Sequence, residues 1–597
     1  MPSLPRDPWL AALLAVHTAF ALLLWFSGSP FGTWTFECGA GGTAWDLAHG
    51  RNPAFGWSDY YDSWTSGYLL WALLEAPGTW LPGPPIYALK AVSLATTAAV
   101  VVAGYAFALR VADRATARLA AAGLALAPPT LWFYAVHAGD YHYSEILFEL
   151  LLFGAAARVV HDDRWTVGRA GALGLLAGLA ITTSFGAGLA VLVTVAAVLA
   201  RRPRWAVQLP AAAVVVGGLV GLAPGIVKAT LHQPFGLSAA AGEFDVPYLG
   251  SVLWGLIPRK LALLPTRLAD HTGFADLIPA LHAVDHVVAA GVLAAGLGGL
   301  IGAVRQRRED AVLAWLPGLF VAALLGTYLL LPLYLPERHP LLSDFRDIRW
   351  LPALLGAAAV GAPIALRPWP RVRLLLLVPA LAAPIAWGAM IDAPSAGIPY
   401  PGRCYELQGL YAGKHVPLVE DGALARPDLC AGFDDPGACE RGRAWAPAVY
   451  TLATGGFTPR RRDESLAAVA AQCDAAPPEL RRPCYRHLGW ALLTAVSPAE
   501  RPAEVVRRRC RAVADRQARA WCHEGVGFWF ADHLGGWPER LEPLLDGADA
   551  NLRRSAVAGV GARIGLGDPD PAWVARQCAR YGAITDGAAA VCEAAAN

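Results

Sequence analysis

Charge is scarce in this sequence. Only 16% of its 597 residues are Asp, Glu, Lys or Arg, against 55% hydrophobic residues, which excludes an ordinary water-soluble globule of this length. The basic residues are scattered in short clusters and the net charge is only +2, so no nucleic-acid surface is expected. Cysteine is nearly missing from the first 391 residues, where Cys38 stands alone. CxxC is absent throughout, and the nearest cysteine pairs enclose eight, ten, eleven and thirteen residues, which does not match zinc-ligand spacing. No glycine-rich phosphate loop is evident among the 61 glycines. They fall largely in apolar runs, where small residues let helices approach closely.

The apolar runs are what the chain has in abundance. Arginines punctuate them at Arg110/Arg114/Arg118, Arg158/Arg164/Arg169, Arg201/Arg202/Arg204, Arg305/Arg307/Arg308 and Arg367/Arg371/Arg373. The positive-inside rule puts all five groups, and Arg6, in the cytoplasm. Spans are then predicted at about 10–27, 86–109, 117–136, 144–160, 168–183, 186–200, 206–230, 286–304, 311–334, 351–366 and 373–391, each compatible with roughly 15–25 residues of helix. The resulting plan is an all-α, polytopic domain over residues 1–391 with eleven crossings, the N-terminus inside and the C-terminus outside. The first span reads as an uncleaved anchor. The fifth and sixth are short and flank TTSFGAG (Thr182–Gly188), so this pair is a candidate re-entrant hairpin; topology parity is the same either way. Ser66–Pro85, broken by four prolines, suits a helix lying along the outer surface.

From residue 392 to 597 the chain becomes polar and holds the other nine cysteines. Their place opposite the arginine clusters implies an oxidising compartment and disulfides. CYRHLGWAL (Cys484–Leu492) resembles CHEGVGFWFA (Cys522–Ala531), Cys473 and Cys510 precede them 37 residues apart, and AVAGVGARIG (Ala556–Gly565) is a weaker copy. This period predicts an extracytoplasmic helical repeat domain, a small α-solenoid, with each hairpin stapled. The pairs expected are Cys430/Cys439, Cys473/Cys484, Cys510/Cys522 and Cys578/Cys592. Counting leaves Cys404 to join Cys38, which lies on the same side of the membrane. Such a domain offers a surface for a protein partner, or serves as a structural cap.

Three outer segments carry candidate chemistry. The loop after the first span, Phe31–Tyr68, places Glu37, Asp46, Asp59 and Asp62 among aromatics and glycines. Carboxylates at an apolar boundary are costly to ionise unless a substrate or partner compensates. The second loop, VHAGDYHYSEILFELL, leads into a helix with His142, Glu145 and Glu149 on one face. The bland reading is a buried hydrogen-bonded cap, but glutamate inside an apolar helix is expensive and points to binding or proton transfer. The third, SDFRDIRWLPALLG (Ser343–Gly356), offers Arg346 and Arg349 at an outer boundary, where the positive-inside bias does not explain them. Phosphate would, and so would ion pairs with Asp344 or Asp347.

An acid soon after the first span, AWDLAHGRNP, YYDSWTSGYLLWALLEAPGTWL, the acid opening the fourth span and Arg349-Trp350-Leu351-Pro352 together resemble the C-type (GT-C) membrane glycosyltransferases. The pattern is most similar to the protein O-mannosyltransferases and lipid A aminoarabinose transferases. It covers residues 1–391. In the first loop this chain has Glu37 followed by Cys38 where the family has aspartate often followed by a second acid, and it has tryptophan in place of the tyrosine of the RYLLP-like motif. The resemblance implies a polyprenyl-phosphate-linked sugar as co-substrate among the membrane lipids, no other cofactor, and transfer at the outer face of a bacterial inner membrane with the tail in the periplasm. Glu37 would be the general base, Glu145 a second catalytic-site acid, and Arg346 or Arg349 the phosphate clamp; Asp46, Asp59, Asp62 and His142 would bind substrate. A transporter of lipid-linked glycans would also use membrane acids, with Glu149 and Lys228 the deeper candidates. A non-catalytic membrane anchor presenting the helical tail is the remaining alternative.

Overall fold

The computed structural model describes residues 7–26, 77, 85–137, 141–162, 164–184, 186–231, 246–306, 310–330, 351–392, 467, 469–494, 502–533, 538–565 and 571–596. Among these the chain is all-helical, without strands. Glu37, Cys38, Asp46, Asp59, Asp62, Arg346, Arg349, Cys404, Cys430 and Cys439, and the side chain of Lys228, lie outside the described residues.

Helices occupy the apolar runs. They are α1 (Pro8–Phe26), α2 (Pro85–Val111), α3 (Arg114–Ala125), α4 (Pro129–Val136), α5 (Tyr141–His161), α6 (Val167–Thr183), α7 (Gly186–Arg201), α8 (Leu209–Leu231), α9 (Val246–Asp270), α10 (His282–Arg305), α11 (Leu316–Leu330), α12 (Leu351–Ala365) and α13 (Leu377–Asp392). Among the described residues five helical stretches are long and apolar enough to cross a membrane, or six if α3 and α4 form one broken span; four more apolar helices are shorter. The chain is therefore consistent with a multi-pass membrane protein. One contiguous core, from Leu10 to Met390, unites these helices except α8, which packs backbone against backbone on α6 at Gly174 and Gly178.

Two features depart from a simple reading of the runs. The expected third span is two helices bent by 71°. Pro128 and Pro129 fall at the break, where a proline ring cannot continue the helical ladder. The donors freed there are taken up by the segment after α9: Thr130 N donates to Thr272 O at 3.2 Å and Thr130 Oγ1 to His271 O at 2.8 Å. Away from water such groups must find protein partners. Gly273, with φ of 86°, lies so close to Thr130 that a Cβ there would stand 2.9 Å from its Oγ1. The second departure is α9 itself, a 25-residue helix with Pro258 and Pro265 inside it, in a stretch where no span is expected.

Ion pairs gather near the arginine-bearing helix ends. Arg118 holds Asp7 at 2.9 and 3.1 Å, and Tyr105 donates to the same carboxylate at 2.9 Å. The Arg118 hydrogen bond keeps Asp7 down at about 2. Arg367 pairs with Asp113 at 3.0 Å, which also caps α3 through Thr116 N, and Arg169 pairs with Asp162 at 3.1 Å.

The tail has its own core, from Val469 to Cys592. Its helices are α14 (Pro478–Thr494), α15 (Pro502–Ala512), α16 (Arg516–His533), α17 (Ala550–Ile564), α18 (Pro571–Ala579) and α19 (Ala588–Ala596). Cys473–Cys484, Cys510–Cys522 and Cys578–Cys592 are bonded, three of the expected pairs. Glycines set the spacing. A Cβ on Gly489 would overlap Cys522 O, one on Gly525 Arg486 O, one on Gly527 Ala556 O, and one on Gly561 Cys592 O. So α14, α16, α17 and α19 pack in series, backbone against backbone. Within that ladder Glu524, almost fully buried, takes a forked hydrogen bond from Arg482 at 3.0 to 3.3 Å and lies 3.7 Å from Arg486. Arg486 and Arg563 stand against the Phe528 ring at 4.9 and 5.8 Å.

Candidate functional site

The site begins with the end of α4. The last carbonyls of a helix have no intrahelical donor and, inside an apolar region, must be met by side chains. Three neighbours meet them: Thr97 Oγ1 donates to Ala135 O at 3.1 Å, Trp25 Nε1 to Val136 O at 2.8 Å, and Ser93 Oγ to His137 O at 2.6 Å. Helices α1, α2 and α4 are thereby fixed together where the chain turns into α5.

The first three turns of α5 then carry His142, Glu145 and Glu149 into the protein, all buried, with each glutamate only 1% exposed. His142 packs edge-on against the Tyr134 ring at 4.7 Å. Its Nδ1 lies 3.8 Å from Glu145 Oε2, too far for a hydrogen bond. Among the described residues neither Glu145 Oε2 nor Glu149 Oε1 receives a hydrogen bond. Two acids one helical turn apart, buried with open acceptor positions, cost several kcal/mol by order of magnitude if nothing else approaches them.

The turn between α6 and α7 supplies part of the answer. Gly186 opens α7, its N–H donating to Ser184 Oγ at 3.1 Å, and it faces the Glu145 carboxylate so closely that a Cβ would lie 2.7 Å from Oε1. Glycine makes the approach feasible, and the positive end of the α7 dipole favours the anion. The short pair of helices singled out in the sequence therefore serves to bring a helix N-terminus to Glu145.

Two lysines buried in the helices of the first 392 residues escaped the sequence reading. Lys90, 1% exposed, lies on α2 one turn before Ser93, its Nζ 5.4 Å from the centre of the Trp25 ring. Lys260, also 1% exposed, reaches from α9 to donate to Tyr328 O at 2.8 Å and lies 4.7 Å from the Tyr328 ring centre. For Lys90 the available signal was its isolation, since it is the lone charge in α2 before the terminal Arg110. An apolar groove of about 70 Å³ lies between α3, α10, α12 and α13, bordered by Leu119, Gly123, Val288, Gly291, Leu355 and Ala359 and partly open to the surroundings. Its lining is apolar throughout.

Of the sequence-nominated residues, the structure brings together His142, Glu145 and Glu149. Protein-family models, curated proteins and solved structures yield no match to the chain.

Proposed function

We propose that the chain is a membrane glycosyltransferase that moves a sugar from a polyprenyl-phosphate donor to an acceptor at the outer face of the membrane. The observation that carries this reading is Glu145. It is a buried carboxylate one turn into α5, pressed on the N-terminus of α7 and left with an open acceptor oxygen, while a buried lysine, Lys90, stands on the helix that braces the same end of α4. An acid poised to take or orient a proton and a cation suited to a phosphate are what transfer from a lipid phosphate requires.

In the proposed mechanism the acceptor hydroxyl or amine attacks the anomeric carbon as its proton passes to a carboxylate. The sugar–phosphate bond breaks and the lipid phosphate leaves with its negative charge. Glu37 acts as the base, and Glu145 orients the acceptor or the first loop. Arg346 or Arg349, with Lys90, neutralises the leaving phosphate, and the isoprenoid chain runs between helices. The eleven-span plan, the outer placement of the tail and its role as a solenoid for docking a protein partner belong to the same proposal.

Binding of a polyprenyl phosphate to purified protein tests the cationic half of this reading. Lys90→Met should weaken binding at least about 10-fold, since charge-assisted hydrogen bonds contribute about 1.5–3 kcal/mol each. Unchanged affinity would remove Lys90 from the site. A second reading, a transporter of lipid-linked glycans, is favoured by Glu149, which lies a turn deeper than surface chemistry needs. Movement of a labelled lipid-linked sugar across vesicles without any transfer would select it.

A further inference from the structure

We propose that His282 and His286 form a binding site for a divalent transition-metal ion of the zinc, nickel or copper class. The two imidazoles lie at i and i+4 on the first turns of α10, both exposed, with ring centres 4.6 Å apart. A zinc–nitrogen distance of about 2.0–2.1 Å puts each ring centre about 3.2 Å from a shared ion, and at a near-tetrahedral angle the two centres are then about 5 Å apart. The ring centres are therefore spaced close to what one shared ion requires.

The other side of the same turn is held still. Asp285 is buried, and its carboxylate accepts hydrogen bonds from Phe274 N at 3.0 Å, Ala275 N at 2.9 Å and the Thr272 hydroxyl. That anchor fixes the start of α10 against the segment after α9, so the two histidines project from a rigid support. A preorganised pair loses less freedom on binding than two side chains on a mobile loop.

Imidazole nitrogen selects zinc, nickel and copper over magnesium and calcium, which demand oxygen ligands. Among the described residues no third histidine, cysteine, aspartate or glutamate joins the pair in a ligand group. Two protein ligands leave coordination positions for water or for an oxygen of a bound molecule, as at open metal sites. The inference is independent of the glycosyl-transfer reading.

The test uses the full-length protein in detergent, stripped with chelator and titrated with Zn²⁺ by calorimetry, alongside His282→Gln and His286→Gln. Both positions are exposed, so both variants should keep the wild-type melting temperature. Even changes beyond the ligands commonly weaken metal sites by about 10–100-fold, so loss of either ligand should weaken zinc binding by at least that much. With Cu²⁺ in place of Zn²⁺, electron paramagnetic resonance should show coupling to two equivalent imidazole nitrogens in the wild type and to one in each variant. Absence of zinc binding in the wild type, or binding by both variants equal to it, would overturn the assignment.

Discussion

Gly186 lies against the carboxylate of Glu145, near enough that a Cβ there would come within 2.7 Å of Oε1. The obstructing atom is the end of a side chain, so Gly186→Ala should fold, with the carboxylate displaced. Misplacing a reacting group by about 1 Å can cost about 100-fold in rate. We expect turnover to fall about 10- to 100-fold with a melting temperature close to the wild type, measured by transfer assay and calorimetry. Equal turnover would show that the Glu145 position is unimportant.

The tail glycines meet backbone, which cannot swing away. Gly525→Ala would drive a methyl into Arg486 O and toward Gly489 Cα, at 2.9 Å, separating α14 from α16. Overpacking of this kind costs about 1–3 kcal/mol. A lowered unfolding temperature, with the Cys510–Cys522 bond retained, is the expected outcome.

His523 is buried, its Nδ1 2.9 Å from Arg519 O, and desolvation lowers its pKa below the ordinary histidine value. The unfolded chain therefore binds a proton that the folded chain resists, and stability rises with pH where the unfolded state holds more protons. The contribution of His523 to stability should be constant above about pH 6.5, the unperturbed histidine value, and fall as the pH drops below it. His523→Gln should flatten that decline in a series of thermal melts across pH; an unchanged slope would assign it to other groups.

Much of this organisation was legible in the sequence because it is local. Apolar runs marked the helices, arginine clusters marked their ends, and tail cysteines paired with their neighbours at 473/484, 510/522 and 578/592. His142, Glu145 and Glu149 stood out because acids in an apolar helix are costly. The rest depends on contacts between distant segments. The α3–α4 bend is sustained by hydrogen bonds from Thr130 to residues 271 and 272, the end of α4 by Trp25, Ser93 and Thr97, and Glu145 by Gly186. Charged residues and two prolines interrupt the apolar pattern of α9, which hid a helix that tertiary packing stabilises. Lys90 was missed because a single lysine in an apolar run resembles a tolerated snorkelling residue until its burial is known.

Non-reducing peptide mapping of the purified protein should recover Cys38 linked to Cys404 and Cys430 linked to Cys439. The first bond would tie the tail to the loop bearing Glu37, its value lying in fixing position, since loop-closure entropy grows only logarithmically with length. Recovery of Cys38 as an alkylated thiol, or linked to another cysteine, would refute the pairing.

Glycosyl transfer itself is tested most directly by incubating full-length protein in lipid nanodiscs with polyprenyl-phosphate-linked sugars and following release of the lipid phosphate with transfer to an acceptor. The wild type should carry out the reaction. Glu37→Gln should reduce it by about 100- to 10,000-fold, the range general-base catalysis supplies, at an unchanged melting temperature. Full activity in the Glu37→Gln variant, or no transfer by the wild type from any such donor, would contradict the assignment.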